Sequence, residues 1–451
     1  MFTISKDANP NYLCKIVQLR NLKKHSNADR LQTVDIDFQT VITGLDAKEG
    51  DVYVYFPVES KISEDFLSFT NSFREATKNK DPEKTGFFEN NCRVKAMRLR
   101  GEKSMGYIVP IEEILIWSGK TAGAVEYGIE FDTVNGKKLV EKFVVKKKEP
   151  RAKQGKAPKV SRLVEGQVHL HVDTENLRRN AHKIKPSDWI SITYKTHGTS
   201  WWVSHVMVQK KLNWFEKLLK RLGVKVVDTE YDLVYGSRKV VKNKSFDDPK
   251  GKDHFYGYDL WEDIKNAVGT SLPRGYTLYG EMLGFDKNGG AIQKGYDYGC
   301  VPNGVPLGEY GGTAPAQAKL EVYRITHTNS EGLVTELDYP QMVQFCEKLG
   351  LNTPYLYFWG KAGDWYSENM GMGDPFLMDD RDFQEAFVRM LEEKYNEKDC
   401  FMCTNKVPEE GVVVRKEDLF NCESYKLKSF RFLERETKQL DKGESDIESE
   451  N

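Results

Sequence analysis

The stretch Ser191-Ile192-Thr193-Tyr194-Lys195-Thr196-His197-Gly198-Thr199-Ser200, continued by Trp201-Trp202-Val203-Ser204-His205-Val206, constrains the chain most. An alternating apolar run leads to one lysine, a bend with a glycine follows, and a second apolar run returns. This pattern predicts a strand, a tight turn with Lys195 at its lip, and a returning strand. A lysine held against strands can lose stabilisation of its charge. Its pKa then falls from about 10.4 toward neutrality, and the free amine becomes a nucleophile. Gly198 would let backbone approach a phosphate. Read alone, the same string also fits a surface lysine in a hairpin.

Three later strings change the weight of that reading. Tyr279-Gly280-Glu281-Met282-Leu283-Gly284-Phe285 and Glu410-Gly411-Val412-Val413-Val414-Arg415 each set a carboxylate in or beside an apolar, strand-like run. Tyr425-Lys426-Leu427-Lys428 puts two lysines at period two, on one face of a strand. An attacking amine, metal-holding carboxylates and phosphate-facing cations are what nucleotidyl transfer needs.

In this order the four strings resemble the covalent nucleotidyltransferase superfamily of ATP-dependent ligases and capping enzymes. KTHG is similar to its motif I, YGEMLGF to motif III, EGVVVR to motif IV and YKLK to motif V. His197 stands where DNA ligases and capping enzymes usually carry aspartate, and is similar in this to the double-strand RNA ligases. The resemblance implies an α+β adenylyltransferase domain of antiparallel sheets with flanking helices. It implies an RNA ligase joining 5′-phosphate and 3′-OH ends at nicks in duplex RNA or RNA/DNA hybrid. Lys195 would carry AMP, His197 would act on the pyrophosphate side, and Lys426 and Lys428 would neutralise the α-phosphate. Glu281 and Glu410 would hold Mg²⁺ or Mn²⁺ and, with Gly198, line the ATP site. Arg238, in Tyr235-Gly236-Ser237-Arg238-Lys239, matches an arginine that related RNA ligases place near the phosphates. Tyr323, in a strand-like run resembling motif IIIa, is the candidate to stack on adenine, a core tyrosine being the alternative. Tyr194 replaces a glutamate common in relatives, which leaves the reading of the base open. A DNA ligase, a GTP-dependent capping enzyme and a non-catalytic RNA-binding protein on the same scaffold are the alternatives.

Upstream, residues 1–135 read as a β-rich domain. Leu13–Leu19, Thr33–Asp37, Thr40–Thr43 and Val52–Phe56 are short strand-like runs divided by turn signals, which suggests an OB-like barrel. His25-Ser26-Asn27-Ala28-Asp29-Arg30-Leu31 resembles a signature of tRNA-binding OB domains. The order of an OB domain before the transferase resembles the nick-sealing RNA ligases of the Deinococcus type. Arg93, Lys95, Arg98 and Arg100, in the basic stretch 92–107, could line a groove for a nucleic-acid backbone, a solvated strand face being the alternative.

Residues 136–162 read as a basic linker. Lys137 to Arg162 holds eleven Lys or Arg and two acids, broken by Pro150, Gly155 and Pro158. The transferase domain is expected over 163–440 and an acidic disordered tail over 441–451. Lys210 to Val226 has apolar residues at helical spacing opposite lysines and an arginine. It reads as a surface helix packed on the domain, with a membrane or RNA contact as the alternative. Cys400 and Cys403 form a lone C-x-x-C, read as two ordinary thiols in place of a zinc site. Seven cysteines, no signal-like N-terminus and no long apolar run predict a cytoplasmic protein without a membrane span. RNA ends are the expected partner, with no membrane partner and a monomeric state.

Overall fold

The computed structural model describes residues 2–119, 126–145, 160–246, 256–309, 313–370, 373–418 and 422–442. Most of the basic linker and the acidic tail beyond residue 442 lie outside the described residues.

The N-terminal region follows the expected strands closely. A four-stranded sheet has the order Tyr107–Pro110, Val52–Phe56, Cys14–Gln18, Glu130–Phe131. A second sheet joins Lys23–Lys24, Leu31–Ile36 and Gln39–Gly44. The run Val-Tyr-Val-Tyr-Phe at 52–56 explains how the two meet. Val54 and Phe56 enter a cluster with Ile16, Phe66 and Trp117. Tyr53 and Tyr55, one residue out of phase, enter another with Val34, Ile36 and Val41. Period-two alternation therefore buries both faces of one strand.

The linker starts later than expected. Lys137–Lys138 pairs with Thr133–Val134, and Val140–Lys142 pairs with Ser60–Ile62. Leu139 and Val140 are buried in the N-terminal core. Two apolar residues inside a lysine-rich run sufficed to extend the barrel, and the surrounding charge hid them.

Two further sheets follow. The five-stranded one has the order Glu175–Asn176, Glu423–Lys428, Gly411–Lys416, Trp189–Lys195, Leu356–Lys361. The six-stranded one has the order Val240–Val241, Thr229–Ser237, Thr199–Gln209, Tyr276–Gly284, Ala318–Thr328, Val334–Glu336. Pairing is antiparallel except between Glu175–Asn176 and Tyr425–Lys426. Each sheet has a helix-covered face. Ile190, Ile192, Val412, Val414, Tyr425 and Leu427 pack with Phe383, Phe387 and Leu391 of the helix Asp380–Tyr395. Val203, Leu278 and Val322 pack with Ile264 and Met342 of the helices Leu260–Val268 and Tyr339–Leu349.

The same alternation sends the intervening residues, most of them polar, the other way. Ser191, Thr193, Lys195, Val413, Arg415, Ser424, Lys426 and Lys428 line a cavity of about 320 Å³ between the sheets. The α+β architecture with antiparallel sheets is the one expected.

Among the helices that were not expected, one bears on the site. Phe430–Asp441 begins immediately after Lys428, capped by Ser429, whose Oγ accepts from Phe432 N. Phe430 and Leu433 pack on Ala96 and Met105 of the N-terminal region. Asp441, assigned to the tail, is the last residue of this helix.

Candidate functional site

Strand register assembles the site. Lys195 lies opposite Gly411, and Gly411 lies opposite Lys428 on the next strand. One row across three strands thus carries both amines with a glycine between them. Gly411 has φ +138°, and a Cβ there would meet Leu427 O at 2.0 Å, so the position needs glycine. Glu410, just before it, is buried and turns its carboxylate to the amines. Its Oε1 is 2.8 Å from Lys195 Nζ and 3.8 Å from Lys428 Nζ, and its Oε2 is 3.7 Å from His197 Nδ1.

His197 sits edge-on to Tyr296 and Phe432, with ring centroids 5.1 and 4.9 Å away. Its backbone N–H donates to Tyr298 Oη at 2.6 Å. The glycine-rich stretch after Gly284 thereby braces the turn that carries the lysine. Gly198 also has a packing use. A Cβ at Gly198 would lie 2.5 Å from Met282 O, so this glycine lets the turn close onto the Glu281 strand.

In the six-stranded sheet, Ser200, Glu281 and Glu321 form a matching row. Glu281 and Tyr323 face the cavity. Tyr323 Oη is 3.1 Å from His171 Nδ1 and 3.5 Å from Ser200 Oγ. Burial, reinforced by Arg238, lowers the His171 pKa to about 3, which keeps that imidazole neutral. Glu321 is buried behind Thr196. Desolvation raises its pKa to about 7, against a hydrogen bond from Thr196.

Lys426 and Lys428 both line the cavity, and their surroundings differ. Lys428 Nζ is 3.4 Å from Glu436 of the C-terminal helix and 3.7 Å from Glu59 of the N-terminal region. Burial would raise Glu59, but Lys428 and a hydrogen bond with Glu436 outweigh it and lower its pKa to about 2. Burial, together with Lys428 and Arg238, lowers Lys426 to about 8. Arg238 Nε donates to Asp173 Oδ1 at 2.9 Å, and Lys239 Nζ is 3.0 Å from Oδ2. Desolvation would raise Asp173, yet these cations hold it at about 2.

Lys195, His197, Gly198, Arg238, Glu281, Tyr323, Glu410, Lys426 and Lys428 thus converge. Glu59, His171, Asp173, Glu321 and Glu436 join them and were not singled out from sequence. Glu59, His171 and Asp173 lie far along the chain from the cations and the tyrosine they meet, and Glu321 and Glu436, though nearer to Tyr323 and Lys428, sit at no spacing that marks them.

The basic stretch at 92–107 is placed otherwise. Arg93 is buried, and its Nη2 donates to Thr437 O at 3.0 Å and to Asp441 Oδ1 at 2.6 Å. Lys95 Nζ is 2.9 Å from Asp441 Oδ2 and 2.7 Å from Glu89. The guanidinium of Arg98 lies over the Phe430 ring at 5.2 Å. Arg100 Nη1 donates to Asn27 O. The expected backbone groove is therefore corrected at Arg93 and Lys95: they clasp the C-terminal helix, because that helix delivers the Asp441 carboxylate to both and the Thr437 carbonyl to Arg93. The His25–Leu31 string also holds structure. His25 Nε2 lies 3.1 Å from Leu99 O, and Asn27 Nδ2 donates to Arg100 O.

The class of fold follows from both halves. A family model described as an OB-fold domain matches residues 13–111. The two-sheet region with its N-terminal barrel has the fold of an RNA ligase of the nucleotidyltransferase type. Among solved structures, the chain is similar to a Naegleria gruberi RNA ligase in three states. These are a lysine-to-alanine mutant with ATP and Mn (13% identity, TM-score 0.54, 96% of this chain and 99% of that one), a lysine-to-methionine mutant with AMP and Mn (14%, 0.54, 94% and 98%), and the enzyme with PPi (13%, 0.54, 95% and 99%). No curated protein matches the chain.

Proposed function

We propose that the protein is an ATP-dependent RNA ligase that joins 5′-phosphate and 3′-OH ends at nicks in duplex RNA or RNA/DNA hybrid through a lysyl-adenylate. The observation that carries this reading is the row Lys195–Gly411–Lys428 with Glu410 beneath it, facing Glu281 across a cavity of nucleotide size. Lys195 Nζ attacks the α-phosphorus of ATP, the P–N bond forms and pyrophosphate leaves. The AMP then passes to a 5′-phosphate, and attack by a 3′-OH forms the phosphodiester and releases AMP. The ion pair with Glu410 aims Lys195 at the cavity and must loosen before the amine can attack. Lys426, Lys428 and Arg238 supply positive charge where the phosphates would lie. Tyr323, held by neutral His171, offers its ring to the base.

Glu281 and Glu410 suit a divalent cation: Glu281 lines the cavity, Glu410 lies buried against Lys195 at its edge, and Mg²⁺ or Mn²⁺ needs only one or two hard carboxylate ligands. Such an ion would offset charge on the α-phosphate. The likeness to the Naegleria ligase solved with ATP, AMP and Mn supports these ligands. We place the enzyme in the cytoplasm, acting as a monomer. Domain limits near 142 and 163, with a basic linker between, accompany the proposal.

Incubation with labelled ATP and Mg²⁺, then denaturation, should leave label on the wild-type protein and none on Lys195→Ala. Label from GTP in place of ATP would instead mark a capping enzyme, and absence of any label would overturn the reading.

A further inference from the structure

The helix Trp214–Arg221 joins two neighbouring strands of the six-stranded sheet, Thr199–Gln209 and Thr229–Ser237. Lys195 lies just before the first of these strands, and the helix follows its far end. Eleven residues at about 3.4 Å each set the helix more than roughly 30 Å from the site. It has no buried residue. At 100° per residue, Trp214, Leu218, Leu222, Phe215 and Leu219 share an arc of roughly 140°. Glu216, Lys220, Lys217 and Arg221 fill the opposite arc. Trp214 is 76% exposed, Leu222 69% and, just beyond, Val227 75%. The sequence reading of a helix packed on the domain is thus corrected: its apolar face meets solvent.

The helix is already formed. Asn213 and Glu216 make a reciprocal capping box, each bond 2.8 Å. Lys210 pairs with Glu216 at 2.6 Å and Lys220 with Asp228 at 2.7 Å. Residues 210–228 hold Lys210, Lys211, Lys217, Lys220, Arg221 and Lys225 against two acids, Glu216 and Asp228.

We propose that this helix lies in the interface of an anionic lipid membrane, docking the protein peripherally with its active site free. Charge decides between occupants. RNA would draw the cationic arc inward and leave Trp214, Phe215, Leu218 and Leu222 in water. A second copy of this chain would bring two segments with a net excess of four cations each together across the apolar contact. A lipid surface takes the apolar arc among acyl chains while lysine and arginine reach the headgroup phosphates. The preformed helix loses little conformational freedom on binding.

Flotation of the full-length protein with vesicles tests this. Wild type should float with phosphatidylcholine–phosphatidylserine vesicles and not with phosphatidylcholine alone, and added salt should weaken it. A triple variant, Trp214→Ser with Leu218→Ser and Leu222→Ser, should bind at least about tenfold more weakly. Lys217→Glu with Arg221→Glu should do the same. All these side chains lie outside the core, so the melting temperature should hold in both variants. Wild type left unbound by anionic vesicles overturns the proposal, as does a triple variant that binds as well as wild type. A wild-type dimer broken by the triple variant, or an equal loss of RNA affinity, assigns the face to another partner and also overturns it.

Discussion

Two of the chain's cation pairs at period two, Arg93 with Lys95 and Lys426 with Lys428, serve opposite ends in the fold. Strand spacing points Lys426 and Lys428 the same way, and Arg93 and Lys95, just ahead of the strand Ala96–Leu99, share Asp441. Arg93 and Lys95 meet a carboxylate delivered by the C-terminal helix and become a clasp between two regions. Lys426 and Lys428 line a cavity. The two pairs are connected, because the helix that starts at Ser429, directly after Lys428, ends at Asp441 on Arg93. Period fixes which residues share a face. What that face meets depends on segments elsewhere in the chain.

The largest expected effect sits at the cavity. Lys195→Ala should abolish covalent adenylate while the fold, read by circular dichroism, persists. Label retained in that variant would move the nucleophile to another amine, and Lys426 would be the first to test.

Next comes Lys428→Ala. Removing one preorganised charge at a developing phosphate costs on the order of 10²–10³ in rate. The surroundings add a second cost. Glu410, Glu436 and Glu59 lie around this ammonium, and Glu410 is almost wholly buried. Loss of their shared cation should lower the melting temperature as well as the rate. Lys426 should behave differently, since its burial with Lys428 and Arg238 disfavours its charge. Lys426→Met should lose rate and leave the melting temperature unchanged or higher. Equal melting behaviour in the two variants would erase the distinction drawn between them.

Arg93→Ala probes the other pair. Arg93 is buried and its partner Asp441 is about one-third exposed, so solvent screens part of the attraction. The loss should be roughly 1–3 kcal/mol in stability, seen as a lower unfolding midpoint. Each phosphate contact in RNA binding contributes a salt slope of roughly 0.9. Arg93→Ala should leave that slope as it is. A slope flattened by about one unit with unchanged stability would restore the RNA-groove reading.

What could be read from sequence divides along the same line. The strands ending at Lys195 and Lys428 were legible because apolar and polar residues alternate strictly there. Ile190 and Ile192 face one side, and Ser191, Thr193 and Lys195 the other. Val52–Phe56 was equally plain. The C-terminal helix escaped notice because Phe430, Phe432 and Leu433 are its few buried apolar residues among many charges. Glu59 and Asp173 were invisible because an acid acquires meaning only beside the cation it meets. Gly198 was assigned to a phosphate, and the packing use of its missing side chain, which admits the backbone at Met282, could not be read from sequence. The apolar stripe of Trp214–Arg221 was read correctly as a helix but assigned a packed face it does not have.

The smallest effect is the most diagnostic, and it concerns Lys426 alone. Its folded pKa of about 8 lies below the ordinary 10.5 of a free lysine. Between those values the unfolded chain holds a proton that the folded chain lacks. Stability from this group therefore rises with pH across that window, and its unfavourable contribution is complete below about pH 8. Activity should move the other way. A neutral Lys426 no longer attracts phosphate oxygens, so kcat/KM for ATP, which reports the free enzyme, should fall as pH rises through about 8. Bound ATP stabilises the ammonium, so the corresponding fall in kcat should come at higher pH. In Lys426→Arg the limb near pH 8 should vanish, because guanidinium keeps its charge. A limb that persists unchanged in Lys426→Arg would assign this ionisation to another group, and the contrast between the two lysines of the strand would lose its electrostatic basis.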